Sequence, residues 1–117
     1  MTLSELYEAV GGDYQDILER LDDAETVENF VIKFLDDPSY TRLLQYLQES
    51  SLKCAFHAAH TLKGISQSLG FNRLGNCTES LCNELRMEVL PSKTLLQQLK
   101  SEYRCVITAI NDFKSGI

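Results

Sequence analysis

The sequence has no tryptophan, and only two prolines, Pro38 and Pro91, in 117 residues. Proline ends or kinks a helix, so its scarcity leaves long stretches free to be helical, and both prolines stand where helices can begin. Strictly alternating apolar and polar runs, the mark of half-buried strands, are scarce. No apolar run approaches the roughly 18 residues of a membrane span. The N-terminal residues Met1–Glu5 show no basic stretch leading into an apolar one, so no secretory signal is expected. Basic charge is also short: 11 Lys and Arg face 17 Asp and Glu, for a net charge of -6. A general nucleic-acid binder needs positive charge to neutralise phosphates, and that class is excluded. The four cysteines, Cys54, Cys77, Cys82 and Cys105, form no CxxC pair, which excludes zinc-ribbon and thioredoxin-like readings. They are expected to be reduced thiols, acting as small apolar side chains in or near the core.

What is present is ordinary globular material, 44% hydrophobic and 24% charged. The length suits one domain, 1–117, and a free-standing cytoplasmic monomer is expected. Leu, Glu, Gln, Lys and Ala are plentiful, and apolar residues recur at three- and four-residue intervals, so the chain reads as all-α. Short helices are expected over about 2–9, halted at Gly11-Gly12, and over about 13–21, capped by Asp13. A third spans about 23–36, with Val27, Phe30, Val31, Phe34 and Leu35 on one face. A fourth starts after Pro38 and runs over about 39–49, with Leu43, Leu44 and Leu47 inward. Ser50 or Ser51 caps a long helix ending at Leu69, where Gly70 is a helix stop. A sixth covers about 71–87, and Pro91 and Ser92 begin the last, about 92–114. Short loops make sequential helices antiparallel, giving an up-down four-helix bundle with the short N-terminal helices as a lid.

Charge is uneven. Residues 13–37 carry nine acidic side chains and only Arg20 and Lys33 as basic ones, whereas residues 53–104 are mildly positive. That back half suits an acidic protein partner, or is solvated surface.

Chemistry concentrates on the helix over 51–69. At about 100° per residue, Leu52, Ala55, Ala59, Leu62, Ser66 and Leu69 fall on one stripe, the spacing of a bundle core. His60 lies about 130° from the centre of that stripe and faces outward, with Lys53, His57, Lys63, Gly64 and Gln67 on its side. Glycine inside a helix costs roughly 1 kcal/mol against alanine, and no core crowding demands it at position 64. Its use there is room for another molecule to approach the imidazole. Lys63 brings a positive charge to the same place, and Gln67 an amide. Together these groups suit an anionic group such as a phosphoryl arriving at the ring, and a neutral imidazole is a good nucleophile.

The stretch Ala59-His60-Thr61-Leu62-Lys63-Gly64-Ile65-Ser66-Gln67-Ser68-Leu69-Gly70 resembles the signature of histidine-phosphotransfer (HPt) domains, and the similarity continues through Phe71 and Leu74. The resemblance implies a phosphorelay intermediate with no ATP-dependent kinase activity of its own. It would take a phosphoryl group from a receiver-domain aspartyl phosphate and pass it to another receiver aspartate. The receivers would belong to response regulators or hybrid histidine kinases. His60 would be the phosphoacceptor through Nε2, Lys63 would offset phosphoryl charge, Gly64 would admit the receiver's loops, and Gln67 would border the phosphate. The protein would need no cofactor, Mg2+ residing on the receiver. Many members carry Gln or another polar side chain where this sequence has Cys82. Glu79, one turn earlier, is the candidate to accept from Nδ1 and orient the ring, or is an exposed helix-face carboxylate.

Two other classes stand beside this one. A helical interaction module could bind receiver or kinase domains without transferring phosphate. A metal-binding bundle would use His57 and His60, but no dependable third ligand lies near in sequence, so no metal is expected. Phe56, between the core stripe and the His60 face, is read as a core edge that could form a docking surface with Phe71.

Overall fold

A computed structural model describes residues 1–116. Several helices open on a residue whose side chain caps them. In α1 (Leu3–Ala9) Thr2 and Glu5 exchange hydrogen bonds in a capping box. Asp13 caps α2 (Tyr14–Leu21), Asp23 caps α3 (Ala24–Lys33), and Ser92 caps α7 (Lys93–Lys114), each accepting a backbone N–H from three residues on. Between them lie α4 (Ser39–Gln48), α5 (Leu52–Ser68) and α6 (Asn72–Arg86). There are no strands among the described residues, and none of their helices is long and apolar enough to cross a membrane.

The protein is an all-helical bundle. α5 packs between α4 and α6, α7 follows on α6, and α1 and α3 close against α7. At about 1.5 Å per residue, the 22 residues of α7 span most of the 40 Å long axis. The core includes Leu6, Val27, Val31, Leu43, Leu62, Leu74, Leu81, Leu99, Val106 and Ile110.

A chain of aromatic rings ties the short N-terminal helices to the bundle. Tyr7 lies 5.7 Å from Phe71, Phe71 meets Phe34 edge-on at 5.3 Å, and Phe34 approaches Tyr103 at 5.9 Å. Tyr103 in turn stacks on Tyr40 at 3.6 Å. The Tyr7 hydroxyl donates to the Leu69 carbonyl at 2.6 Å, and Arg20 reaches the Gln67 carbonyl at 3.4 Å. α1 and α2 therefore cover the C-terminal end of α5. There Gly70, at φ +77, permits the reversal: its N–H donates to Gln67 and that of Phe71 to Ser66.

Four expectations need correction. The third helix does not run to residue 36: Asp37, ahead of Pro38, is extended, and Phe34–Asp36 tightens into a 3-10 turn. Phe30 does not face the core and is 46% exposed, because Val27, Val31 and Phe34 occupy the inward positions. Cys54 is exposed rather than near the core, and Cys105 is only partly covered, while Cys77 and Cys82 are buried; all four are free thiols. Phe71 is fully buried, so it cannot form a surface with Phe56.

Candidate functional site

The local half of the site follows from the register of α5. Ala55, Ala59, Leu62 and Ser66 are fully buried, and the intervening positions turn out of the bundle. His60, Gly64 and Gln67 are exposed and Lys63 is partly exposed, so the structure brings them together along one ridge. A Cβ added at Gly64 would meet nothing within 4 Å. The glycine thus answers no crowding inside the protein, and the space beside the imidazole is open.

The ridge has two different flanks. On the α6 side the Phe56 ring lies 6.1 Å from the His60 ring, at 27° to it, and the Arg86 guanidinium sits 5.6 Å over the same Phe56 ring. Lys63 does not line the groove on the other flank, and its charge, like that of Arg86, acts on Cys82 of α6. Burial nevertheless pushes the Cys82 thiol above its ordinary range, which keeps it neutral and poorly suited to hydrogen bonding. Gln67 leans on α6, where Gly75 makes room: a Cβ there would lie 3.1 Å from the Gln67 Cγ.

On the other flank a groove of about 510 Å³ separates α5 from the end of α3. His60, Thr61, Gly64, Ile65, Ser68 and Leu69 form one wall, and Phe30, Lys33, Phe34 and Asp37 the other. This wall was not legible from the helix wheel of α5. The only signal in the sequence was the three-residue spacing of Phe30 and Lys33, which puts an aromatic ring and a cation on one face of α3.

The structure does not join Glu79 to the ring. Glu79 is exposed on α6, and no hydrogen bond links its carboxylate with His60 among the described residues. His57 lines a separate hollow with Ser39, Arg42, Tyr46 and Cys54, and its ring lies 5.7 Å from the Phe56 ring. No group of three His, Cys, Asp or Glu side chains suited to a metal ion stands together among the described residues.

The arrangement offers a nucleophilic ring nitrogen, cations on its flanks and unobstructed access for a second macromolecule. Such a solvent-open site has the charge to receive a tetrahedral anion. A family model, the Hpt domain, matches residues 5–109. Comparison with curated proteins and with solved structures gives no match.

Proposed function

The chain belongs to the Hpt domain family, which implies a part in phosphorelay phosphotransfer, and on that premise we propose that His60 is the phosphoacceptor of a carrier working between receiver domains. The observation that carries this reading is the exposed imidazole on α5 beside the open position at Gly64.

The neutral ring attacks through the Nε2 lone pair at the phosphorus of a receiver aspartyl phosphate. The Nε2–P bond forms as the P–O bond to the aspartate breaks, and the receiver carboxylate leaves as an anion. The ring carries the resulting positive charge and sheds it by releasing the Nδ1 proton to water. Transfer onward to a second receiver runs the same step in reverse. Little covalent work falls to the protein, so positioning and charge supply most of the effect. Lys63 offsets charge on the phosphoryl oxygens, Gly64 lets the receiver's loops close on the ring, and Gln67 borders the phosphate. Mg2+ belongs to the receiver.

The test is incubation with a receiver domain carrying radiolabelled phosphate. The wild-type protein gains an acid-labile, base-stable label and His60→Gln does not; equal labelling of both removes the proposal. Cys82 is buried and, among the described residues, no side-chain hydrogen bond reaches the His60 ring, which favours one rival, an interaction module. Receiver binding that survives His60→Gln, with no label on the wild type, identifies that module.

A further inference from the structure

The groove between α3 and α5 has a property that the motif on α5 does not supply: a cation from another helix. Lys33 is the last residue of α3, is exposed, and lines the groove opposite His60, Gly64 and Ser68. Its ammonium lies 5.8 Å from the centroid of the Phe30 ring, which lines the same wall. Among the described residues the ion pairs are Arg20–Asp16 and Arg73–Glu102, so Lys33 is not neutralised although it sits in the most acidic stretch of the chain. Asp37 also lines the groove, and its carboxylate, which accepts the Ser39 N–H at 2.9 Å at the start of α4, keeps its charge, so Lys33 is the groove's one cation facing one anion.

Lys63 is absent from the groove's lining and lies on the Phe56 side of His60, the flank that meets Arg86 of α6. Viewed along α5, His60 therefore has one lysine on each side, and the open position at Gly64 lies on the Lys33 side. A phosphoryl group on the ring presents three oxygens, and a single lysine on one flank leaves those facing the groove without a charge partner.

We infer that Lys33 is a second cation for the phosphoryl group on His60, acting from α3 across the groove. The inference rests on the proposed phosphoacceptor role of His60. Lys33 takes no part in the bond changes: Nε2–P forms, the bond from phosphorus to its leaving group breaks, and Lys33 offsets charge on the oxygens throughout. A purely structural role is the competing explanation, because a cation in the last turn of a helix complements its dipole.

Potassium phosphoramidate serves as the probe, since it needs no receiver and releases ammonia as the Nε2–P bond forms. The full chain is loaded with it, and phosphohistidine is followed by mass spectrometry or 31P NMR. Lys33→Gln should slow loading about three- to tenfold, the effect of one partly screened unit charge. Lys33→Arg should restore most of the rate, and the difference between wild type and Lys33→Gln should shrink as salt rises. Wild-type loading with an unchanged rate in Lys33→Gln overturns the inference and leaves His60 as phosphoacceptor. A slower Lys33→Gln that melts earlier, and that neither Lys33→Arg nor salt brings level, shows the structural role and also overturns it. Absence of label on His60 in the wild type removes both proposals.

Discussion

If His60 is the phosphoacceptor, Gly64 should separate stability from function, because it is a poor helix residue in a place where nothing inside the protein needs it. It lies within α5, four residues from the end, and a Cβ there meets nothing within 4 Å. Gly64→Ala should therefore stabilise the protein by about 1 kcal/mol, and Gly64→Gln by about half that, through helix propensity alone. For a domain of this size, these gains raise Tm by roughly 2–6 °C. Phosphotransfer should move the other way. A glutamine side chain fills the approach that a receiver must use, and a displacement of about 1 Å from attack geometry costs on the order of a hundredfold in rate. Transfer from a phosphorylated receiver to Gly64→Gln should fall by about that factor. Loading by phosphoramidate, a small donor, should stay within a few-fold of wild type. Stopped-flow or quenched transfer assays alongside thermal melts read all of these quantities. A Gly64→Gln protein that accepts phosphate from the receiver at the wild-type rate would show that close approach is not what the glycine provides. Equal losses with both donors would place the crowding at the ring itself and refute the partner argument.

Gly12→Ala should do the opposite of Gly64→Ala and cost about 2 kcal/mol, seen as an earlier melt, because its Cβ would collide with the Gly70 carbonyl and the Tyr7 ring. A melt at the wild-type temperature would contradict that packing. Tyr7→Phe should cost about 1–2 kcal/mol at neutral pH by removing the buried hydrogen bond to the Leu69 carbonyl. Burial raises the Tyr7 phenol above its ordinary range, and raises Tyr40 and Tyr103 as well. The unfolded chain therefore loses these protons first, so their stabilisation is complete below about pH 10 and is lost as pH climbs beyond it. Urea unfolding at graded alkaline pH should show that decline, shallower in Tyr7→Phe, and a flat profile would contradict it. A thiol reagent should modify Cys54 quickly and Cys105 more slowly, while Cys77 and Cys82 wait for unfolding; four equal rates would contradict the burial pattern.

The parts of this fold legible in the sequence are those decided within a few residues of chain. Asp13, Asp23 and Ser92 mark helix starts because their side chains satisfy backbone N–H groups three residues away, and Gly70 marks a stop because it accepts a positive φ. The outward position of His60 is equally local, since it needs only the register of Ala55, Ala59, Leu62 and Ser66. Phe71 was misplaced because its location is set by the reversal at Gly70, which folds the residue after it back onto the bundle, where Tyr7 and Phe34 enclose it. Cys54 was expected near the core only from the usual burial of cysteine; the wheel of α5 turns it about 110° from the centre of the buried stripe, and it is exposed.

The site divides along the same line. His60, Lys63, Gly64 and Gln67 share one helix, so their proximity follows from spacing. The α3 wall follows from which helix lies beside α5, and nothing within 51–69 encodes that. Its position is fixed instead by contacts remote from His60: Val27 and Val31 anchor α3 in the core, and Phe34 wedges against Phe71 and Tyr103. Those anchors leave Phe30 and Lys33 on the remaining face of α3, turned towards the groove. The same packing that makes Phe30 fail as a core residue thus makes it available as a wall of the site. The three-residue spacing of Phe30 and Lys33 hinted at that face, but only the docking of α3 beside α5 shows that it forms the groove's second wall.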